Sequence, residues 1–430
     1  MTRRHRALAL ALLLGACGDS GSGTTSSAGT EDAGGIDSLG VTSSISTSGS
    51  DTDSGTTAGG PVMCESESDC DITEICNEGV CMFDGNWCGG AAVDMQTNTA
   101  PNVMLVLDKS GSMVNDNNNW DDDADDANDD GFKDSDPMTP ATPKVTRWRS
   151  LHEVVELIGT QYDGNLNLGA QLFPSVDAVP ALGPDACLVN SPPEVPVAPT
   201  NASSVLAGIP GASDTSLAGG TPAERGVASA VDHLLGLPDP MTGEDKPQSL
   251  IIFITDGSAN CSTNANNDDQ LLEYDANLVP TITDALAQGI ATYVIGVDIE
   301  NAPDNQGINP FEVLNDAAVA GGRPKDDPTE KFYNTVNKIE LQEALQGIIG
   351  GVLPCIIQVP GDQPDMTTLR IEVGGDSYPD PLPDGADCAT ETGWRYTDGS
   401  ETFIELCGAA CNAYQQSGEM SFNYDCPPLG

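Results

Sequence analysis

The sequence predicts an α/β protein. A doubly wound, mainly parallel sheet occupies the middle of the chain, with a small cysteine-rich knot before it and a β domain after it. Three observations lead there. Between residues 101 and 353, short apolar runs rich in β-formers alternate with segments whose apolar residues recur at helical spacing, as in a sheet covered on both faces. Cys64, Cys70, Cys76 and Cys81 stand at nearly even spacing in the segment 62–90, which is too short to build a core and needs crosslinks. After Cys355 the texture changes to Gly, Pro and Asp turns between short strands, read as a disulfide-braced β domain over 356–430.

Taken in order, residues 1–16 read as a targeting segment. Arg3, Arg4 and Arg6 precede the apolar run Ala7 to Leu14, well short of the roughly 20 apolar residues a spanning helix needs. The run ends in Leu14-Gly15-Ala16-Cys17, which resembles the lipobox of bacterial lipoproteins. The resemblance implies that Cys17 is acylated and becomes the mature N-terminus. It also implies a cell-envelope location in which the lipid anchor engages a membrane, and Gly18 after the cysteine favours the outer one. Residues 17–61 are Ser, Thr and Gly with scattered Asp, a composition that reads as a flexible tether. In the knot, three pairings are possible. Cys64–Cys76 with Cys70–Cys81 is favoured, and the rival, a zinc site, lacks nearby His. The 13 cysteines less the acylated one leave 12, an even number suited to six disulfides in an oxidising compartment, with Cys187–Cys261 expected inside the α/β domain.

Within the α/β domain, Asn102 to Leu107 suits a buried parallel strand. Arg147 to Ile158 places Trp148, Leu151, Val154, Val155 and Ile158 on one helical stripe. Leu166 to Phe173 alternates as a strand. Pro222 to Leu235 reads as a helix with Thr221 as N-cap and Pro at its first position. Leu250 to Thr255 is a second central strand, and Val279 to Ala287 a helix stopped by Gly289. Ala291 to Val297 is a strand, Pro310 to Ala320 a helix, Phe332 to Asn334 a short strand and Lys338 to Val352 a helix. Further strands are expected at Thr368 to Val373 and Thr402 to Leu406.

The charge balance narrows the partners. With 66 acidic residues against 16 basic ones the net charge is −50, which repels nucleic acid and anionic headgroups. Carboxylate oxygens attract Ca²⁺ and Mg²⁺, although acidity also serves to keep a secreted chain soluble.

One constellation carries chemistry. The first strand ends in Asp108-Lys109-Ser110-Gly111-Ser112, three oxygen-bearing side chains at alternate positions around a glycine turn. The central strand delivers Asp256 in Ile254-Thr255-Asp256-Gly257, and Gly219-Gly220-Thr221-Pro222 adds a hydroxyl at a helix start. Open α/β sheets place ligand sites at the carboxyl edge where these residues fall. Three hydroxyls and two carboxylates make an all-oxygen set of low formal charge, suited to Mg²⁺ with a position left for a ligand.

These residues resemble the metal-ion-dependent adhesion site of von Willebrand factor type A and integrin inserted domains, over about residues 101–353. Val294-Ile295-Gly296-Val297 and Leu314-Asn315-Asp316-Ala317-Ala318 followed by Gly321-Gly322 extend the likeness. The resemblance implies that Ser110, Ser112 and Thr221 coordinate Mg²⁺ (or Mn²⁺) directly or nearly so, while Asp108 and Asp256 act largely through water. It implies that a protein ligand's carboxylate completes the coordination, and that the loop of Thr221 shifts between states. It further implies a Cys88–Cys355 bridge between the domain ends, with a link from Cys355 into the C-terminal domain as the alternative.

The chain departs from that pattern in a long acidic insertion, 115–143. Within it Asp126, Asn128, Asp130, Phe132 and Asp134, with Gly131, resemble a calcium loop, but Pro137 stands where the closing Glu belongs. A disordered acidic loop is the other reading. Metal-dependent ligand capture or adhesion is therefore the expected function, with a calcium-stabilised envelope scaffold as the alternative. An enzyme is not expected: His152 and His233 fall on helical patterns, and neither a nucleophile elbow nor a zinc-hydrolase helix motif is present.

Overall fold

The structure, a computed structural model, describes residues 74–77, 80–83 and 100–424 except 127, 129, 180–182, 239–245, 264–269, 305, 360–368, 384 and 398–402. The targeting segment, Cys17, the tether, Cys64, Cys70, Cys88 and Cys426 lie outside the described residues. Strands β1 (Glu74–Asn77) and β2 (Val80–Phe83) form an antiparallel hairpin whose register sets Cys76 across from Cys81. The expected pairings Cys64–Cys76 and Cys70–Cys81 each need a residue outside the described set.

The elements that follow are β3 (Asn102–Asp108), β4 (Phe132–Lys133), β5 (Asp136–Pro140), α1 (Arg147–Tyr162), β6 (Asn167–Phe173) and β7 (Val195–Pro199). After them come α2 (Ala202–Gly208), α3 (Ala223–Leu235), β8 (Ser249–Thr255), α4 (Leu278–Ala287), β9 (Ala291–Val297), α5 (Pro310–Ala320), β10 (Tyr333–Thr335) and α6 (Lys338–Val352). Six of these strands form one sheet in the order β10-β9-β8-β3-β6-β7, parallel throughout except for the antiparallel edge strand β7. Counted within the sheet this is the doubly wound order 3-2-1-4-5-6, whose direction of winding reverses between β3 and β8. The edge strand β7 and helix α2 were not legible in the sequence. Val195–Pro199 contains two prolines, which a central strand excludes and an edge strand tolerates.

The two faces are distinct. Val103, Leu105 and Leu107 of β3, with Leu250, Ile252 and Ile254 of β8, pack in one cluster with Trp148, Leu151 and Ile158 of α1 and Leu341, Leu345 and Ile348 of α6. Met104, Val106, Ile251 and Phe253 point the other way, into a cluster with α3, α4 and α5. This is the period-2 alternation of a strand buried on both sides, and each buried Leu, Ile or Val contributes roughly 1.5–3 kcal/mol.

Beyond α6, strands β11 (Ile356–Gln358), β12 (Leu369–Val373), β13 (Asp376–Tyr378), β14 (Gly393–Tyr396) and β15 (Phe403–Cys407) are followed by helix α7 (Ala409–Ser417) and β16 (Met420–Tyr424). They form two antiparallel sheets, β11-β15-β14 and β13-β12-β16. The helix α7 corrects the all-β expectation for this segment. Its residues Ala410 and Tyr414 are buried, and Tyr414 Oη accepts from Asn165 Nδ2 at 2.8 Å. Ile357, Ile371, Trp394, Ile404 and Phe422 join the same cluster as α1 and α6, so the C-terminal strands share a core with the parallel sheet.

Among the described residues two bridges brace this region, Cys388–Cys407 and Cys355–Cys411. The second corrects the Cys88–Cys355 expectation: Cys355 leaves α6 facing α7, at 5.6 Å Cα–Cα from Cys411. The expected Cys187–Cys261 bridge is present.

Candidate metal centre

The winding reverses between β3 and β8, the point in an open α/β sheet where ligand sites form; β3 ends in Asp108, and Asp256 directly follows the end of β8 at Thr255. Asp108 is fully buried. Its Oδ1 accepts the backbone N–H of Ser110 at 2.8 Å, and its Oδ2 accepts the Thr255 hydroxyl at 2.6 Å. The turn that follows brings Ser110 Oγ to 2.8 Å from Ser112 Oγ, and Ser112 Oγ donates to Asp256 Oδ1 at 2.6 Å. Four of the five donors foreseen from the sequence thus form one hydrogen-bonded chain.

The fifth, Thr221, is carried on a neighbouring loop. Gly111 N donates to Gly219 O at 3.4 Å, which lays that loop against the serine turn. Thr221 N donates to Asn260 Oδ1 at 2.6 Å, and Thr221 O accepts from Asn260 N at 3.0 Å. Helix α3 begins one residue later than expected: Pro222 is its N-cap and, having no side-chain acceptor, makes no cap bond. Two glycines make the close approach possible. Gly219 has φ 113°, and a Cβ on Gly220 would meet Cys261 Sγ at 2.6 Å and Asn260 Oδ1 at 2.7 Å. The Cys187–Cys261 bridge ties the turn Pro184–Cys187, whose Ala186 O accepts Gly220 N at 2.8 Å, to the loop that carries Asn260, and Arg225 spans it, donating to Cys187 O at 2.9 Å and Cys261 O at 3.0 Å.

Burial, then the charge of Asp256, pushes the Asp108 carboxyl up to about 7, and burial likewise raises Asp256. Two carboxylates and three hydroxyls make an all-oxygen set that fits a hard divalent cation. Sequence reasoning missed three residues here. Thr255 anchors Asp108, Asn260 anchors Thr221, and Arg147 donates to Asp256 Oδ2 at 3.0 Å and also pairs with Asp298. Thr255 and Asn260 lie beside Asp256 in the chain and were within reach of a motif reading. The one sequence mark on Arg147 is that it places a cation at a helix start, and that says nothing about which carboxylates it meets.

The acidic insertion is folded, which corrects the disordered-loop alternative. Its base is closed by a Trp120–Val145 bridge, with Trp120 buried and its Nε1 donating to Ser150 Oγ at 2.9 Å. Asp126 Oδ1 accepts Asp130 N at 3.0 Å and Oδ2 accepts Gly131 N at 2.9 Å. Asn128 Nδ2 donates to Asp134 Oδ1 at 2.8 Å, and Asp130 Oδ1 accepts Phe132 N at 2.9 Å. The loop is thus wrapped around Asp126. A second grouping was not foreseen: Asp121, Asp123 and Asp125 each bring one carboxylate oxygen within 4.8 Å of the others. Asp125 is already taken, bound by Lys133 at 2.8 Å and by Thr142, which hold its carboxyl down at about 2. Of the histidines on helical patterns, His152 lies half-buried on α1, and His233 Nε2 accepts Val197 N of β7 at 3.0 Å.

Neither a family model nor a curated protein matches the chain. Among solved structures, it resembles the conserved hypothetical protein BatB from Bacteroides thetaiotaomicron at 17% identity, covering 59% of this chain and 98% of that one with a TM-score of 0.34. It resembles the pilus adhesin SpaC from Lactobacillus rhamnosus GG at 12% identity, covering 77% of this chain and 40% of that one with a TM-score of 0.41. The SpRpn10 VWA domain is similar at 11% identity, covering 58% of this chain and 95% of that one with a TM-score of 0.33.

Proposed function

We propose that this chain is a surface-displayed binding module that captures a protein ligand through a divalent cation, Mg²⁺ or Mn²⁺, held at Asp108, Ser110, Ser112, Thr221 and Asp256. One observation carries the reading: the hydrogen-bonded chain Asp108–Ser110–Ser112–Asp256 stands at the point where the sheet's winding reverses, with both carboxylates buried. Neutral hydroxyls around the ion leave its charge available to a carboxylate from the partner, Asp or Glu. The role is binding rather than catalysis. The chain is anchored in the cell envelope, at the outer membrane, through acylated Cys17. No helix among the described residues is long and apolar enough to cross a membrane.

The insertion adds a second metal: the Asp126 loop binds Ca²⁺ through Asp126, Asn128, Asp130, the Phe132 carbonyl and Asp134. The wrapping of Asp126 by Asp130 and Gly131 N–H groups favours this, since Ca²⁺ loops of this kind turn about their first carboxylate. It also supports the other reading, a calcium-stabilised scaffold.

Capture of partners from cell-surface extract, in Mg²⁺ and in chelator, separates the two. Metal-dependent capture that fails with Asp256→Ala supports the binding module, whereas capture that survives both chelator and that substitution rules it out. Cys17→Ala should release the protein from membranes, and unchanged fractionation would remove the anchor.

A further inference from the structure

Arg147 is the first residue of α1, a place where the helix dipole disfavours a cation. Its position is explained by what it touches. The side chain is about nine-tenths buried, Nη1 donates to Asp256 Oδ2 at 3.0 Å, and Nη2 pairs with Asp298. Asp298 follows β9 with φ 54°, a left-handed turn that Asp tolerates, and its N–H donates to Thr335 O at 2.7 Å. The guanidinium therefore joins α1 to the ends of both β8 and β9. The other oxygen of Asp256 receives Ser112. Asp256 thus meets the donor set with one oxygen while the second is tied to a fixed cation.

We infer that Arg147 tunes the affinity of this site as an internal counter-cation that withholds Asp256 Oδ2 from the metal and lowers the net negative charge the ion meets. Its effect is to loosen the metal and to keep the bound ion receptive to an anionic partner. This rests on the metal-centre reading above and goes beyond it, because it assigns a cationic residue that touches no ion the power to set metal affinity. The direction of the effect separates it from a structural role. A residue that merely props up Asp256 would, when removed, weaken metal binding; a counter-cation, when removed, strengthens it.

The test is calorimetric titration of the full chain with Mg²⁺ alone and with Mn²⁺ alone. Arg147→Gln should bind each ion about tenfold more tightly, since removing a charge this close to the site changes the attraction by more than a kilocalorie even when screened. Arg147→Lys keeps the charge and should stay within about threefold of wild type, the allowance being for its lost fork geometry. Asp298→Asn releases Arg147 to Asp256 alone and should weaken metal binding by about threefold, which keeps the inference open to refutation if Arg147→Gln does not fold. Metal binding by the wild type with equal or weaker binding by folded Arg147→Gln, or unchanged or tighter binding by Asp298→Asn, overturns the inference alone. No binding by wild type or any variant removes the metal centre and the inference together.

Discussion

The metal edge and the acidic insertion both gather carboxylates, and they do so in opposite electrostatic conditions. Asp108 and Asp256 are buried, each accept a hydroxyl (from Thr255 and from Ser112, respectively) and are pushed up, Asp108 to about 7. Asp125 in the insertion is half-buried, is met by Lys133 and Thr142, and is held down at about 2. One region holds negative charge that its surroundings do not fully compensate; the other has made its own peace through an ammonium, hydroxyls and backbone N–H groups. A density of Asp in the sequence therefore says little about where a cation is needed. Burial decides it, because desolvation is what makes an uncompensated carboxylate unfavourable. The metal edge is also covalently braced by Cys187–Cys261, while residues 115–143 contain no cysteine at all.

That contrast is open to test at four strengths. The largest effect should come from the brace. Paired replacement of Cys187 and Cys261 by Ser should lower stability by about 4 kcal/mol, as expected for a closed loop spanning 74 residues, and loosen the Thr221 loop. Denaturant unfolding followed by Mg²⁺ titration checks both, and a double variant of wild-type stability would mean that the loops are held by packing alone. Next, Asp256→Ala should weaken Mg²⁺ binding by about a hundredfold while circular dichroism stays unchanged, because the fold's core lies on either side of the sheet and not at its edge.

In the insertion, Asp126→Asn should weaken Ca²⁺ binding by about tenfold without altering the Mg²⁺ response. A change in both would show that the two regions are coupled rather than independent. The smallest effect concerns His233, whose imidazole is pushed below its ordinary value by partial burial while Nε2 accepts Val197 N. Because the folded form disfavours the proton, this contribution is present above about pH 6.5 and is lost as pH falls through the lowered folded value. Stability of wild type relative to His233→Gln should narrow between pH 7.5 and pH 5, by about 1 kcal/mol at most.

Much of this protein is determined by local sequence. Strands β3, β8 and β9 and helices α1, α5 and α6 follow from apolar periodicity to within a few residues, since a strand buried on both faces or a helix buried on one must repeat its apolar residues at the matching period. The oxygen donors at Asp108, Ser110, Ser112 and Asp256 are likewise legible, because parallel strands deliver their ends to a common edge. What periodicity leaves undetermined is which surfaces meet. Arg147 reaches Asp256 across 109 residues and Asp298 across 151, and only the packing of α1 against the sheet brings them together. Cys355 pairs with Cys411 because α7 packs against α6, and the C-terminal strands share the α1–α6 core for the same reason. Local pattern says that a face is buried; only the tertiary structure says against what, because long-range contacts depend on how the whole chain is wound.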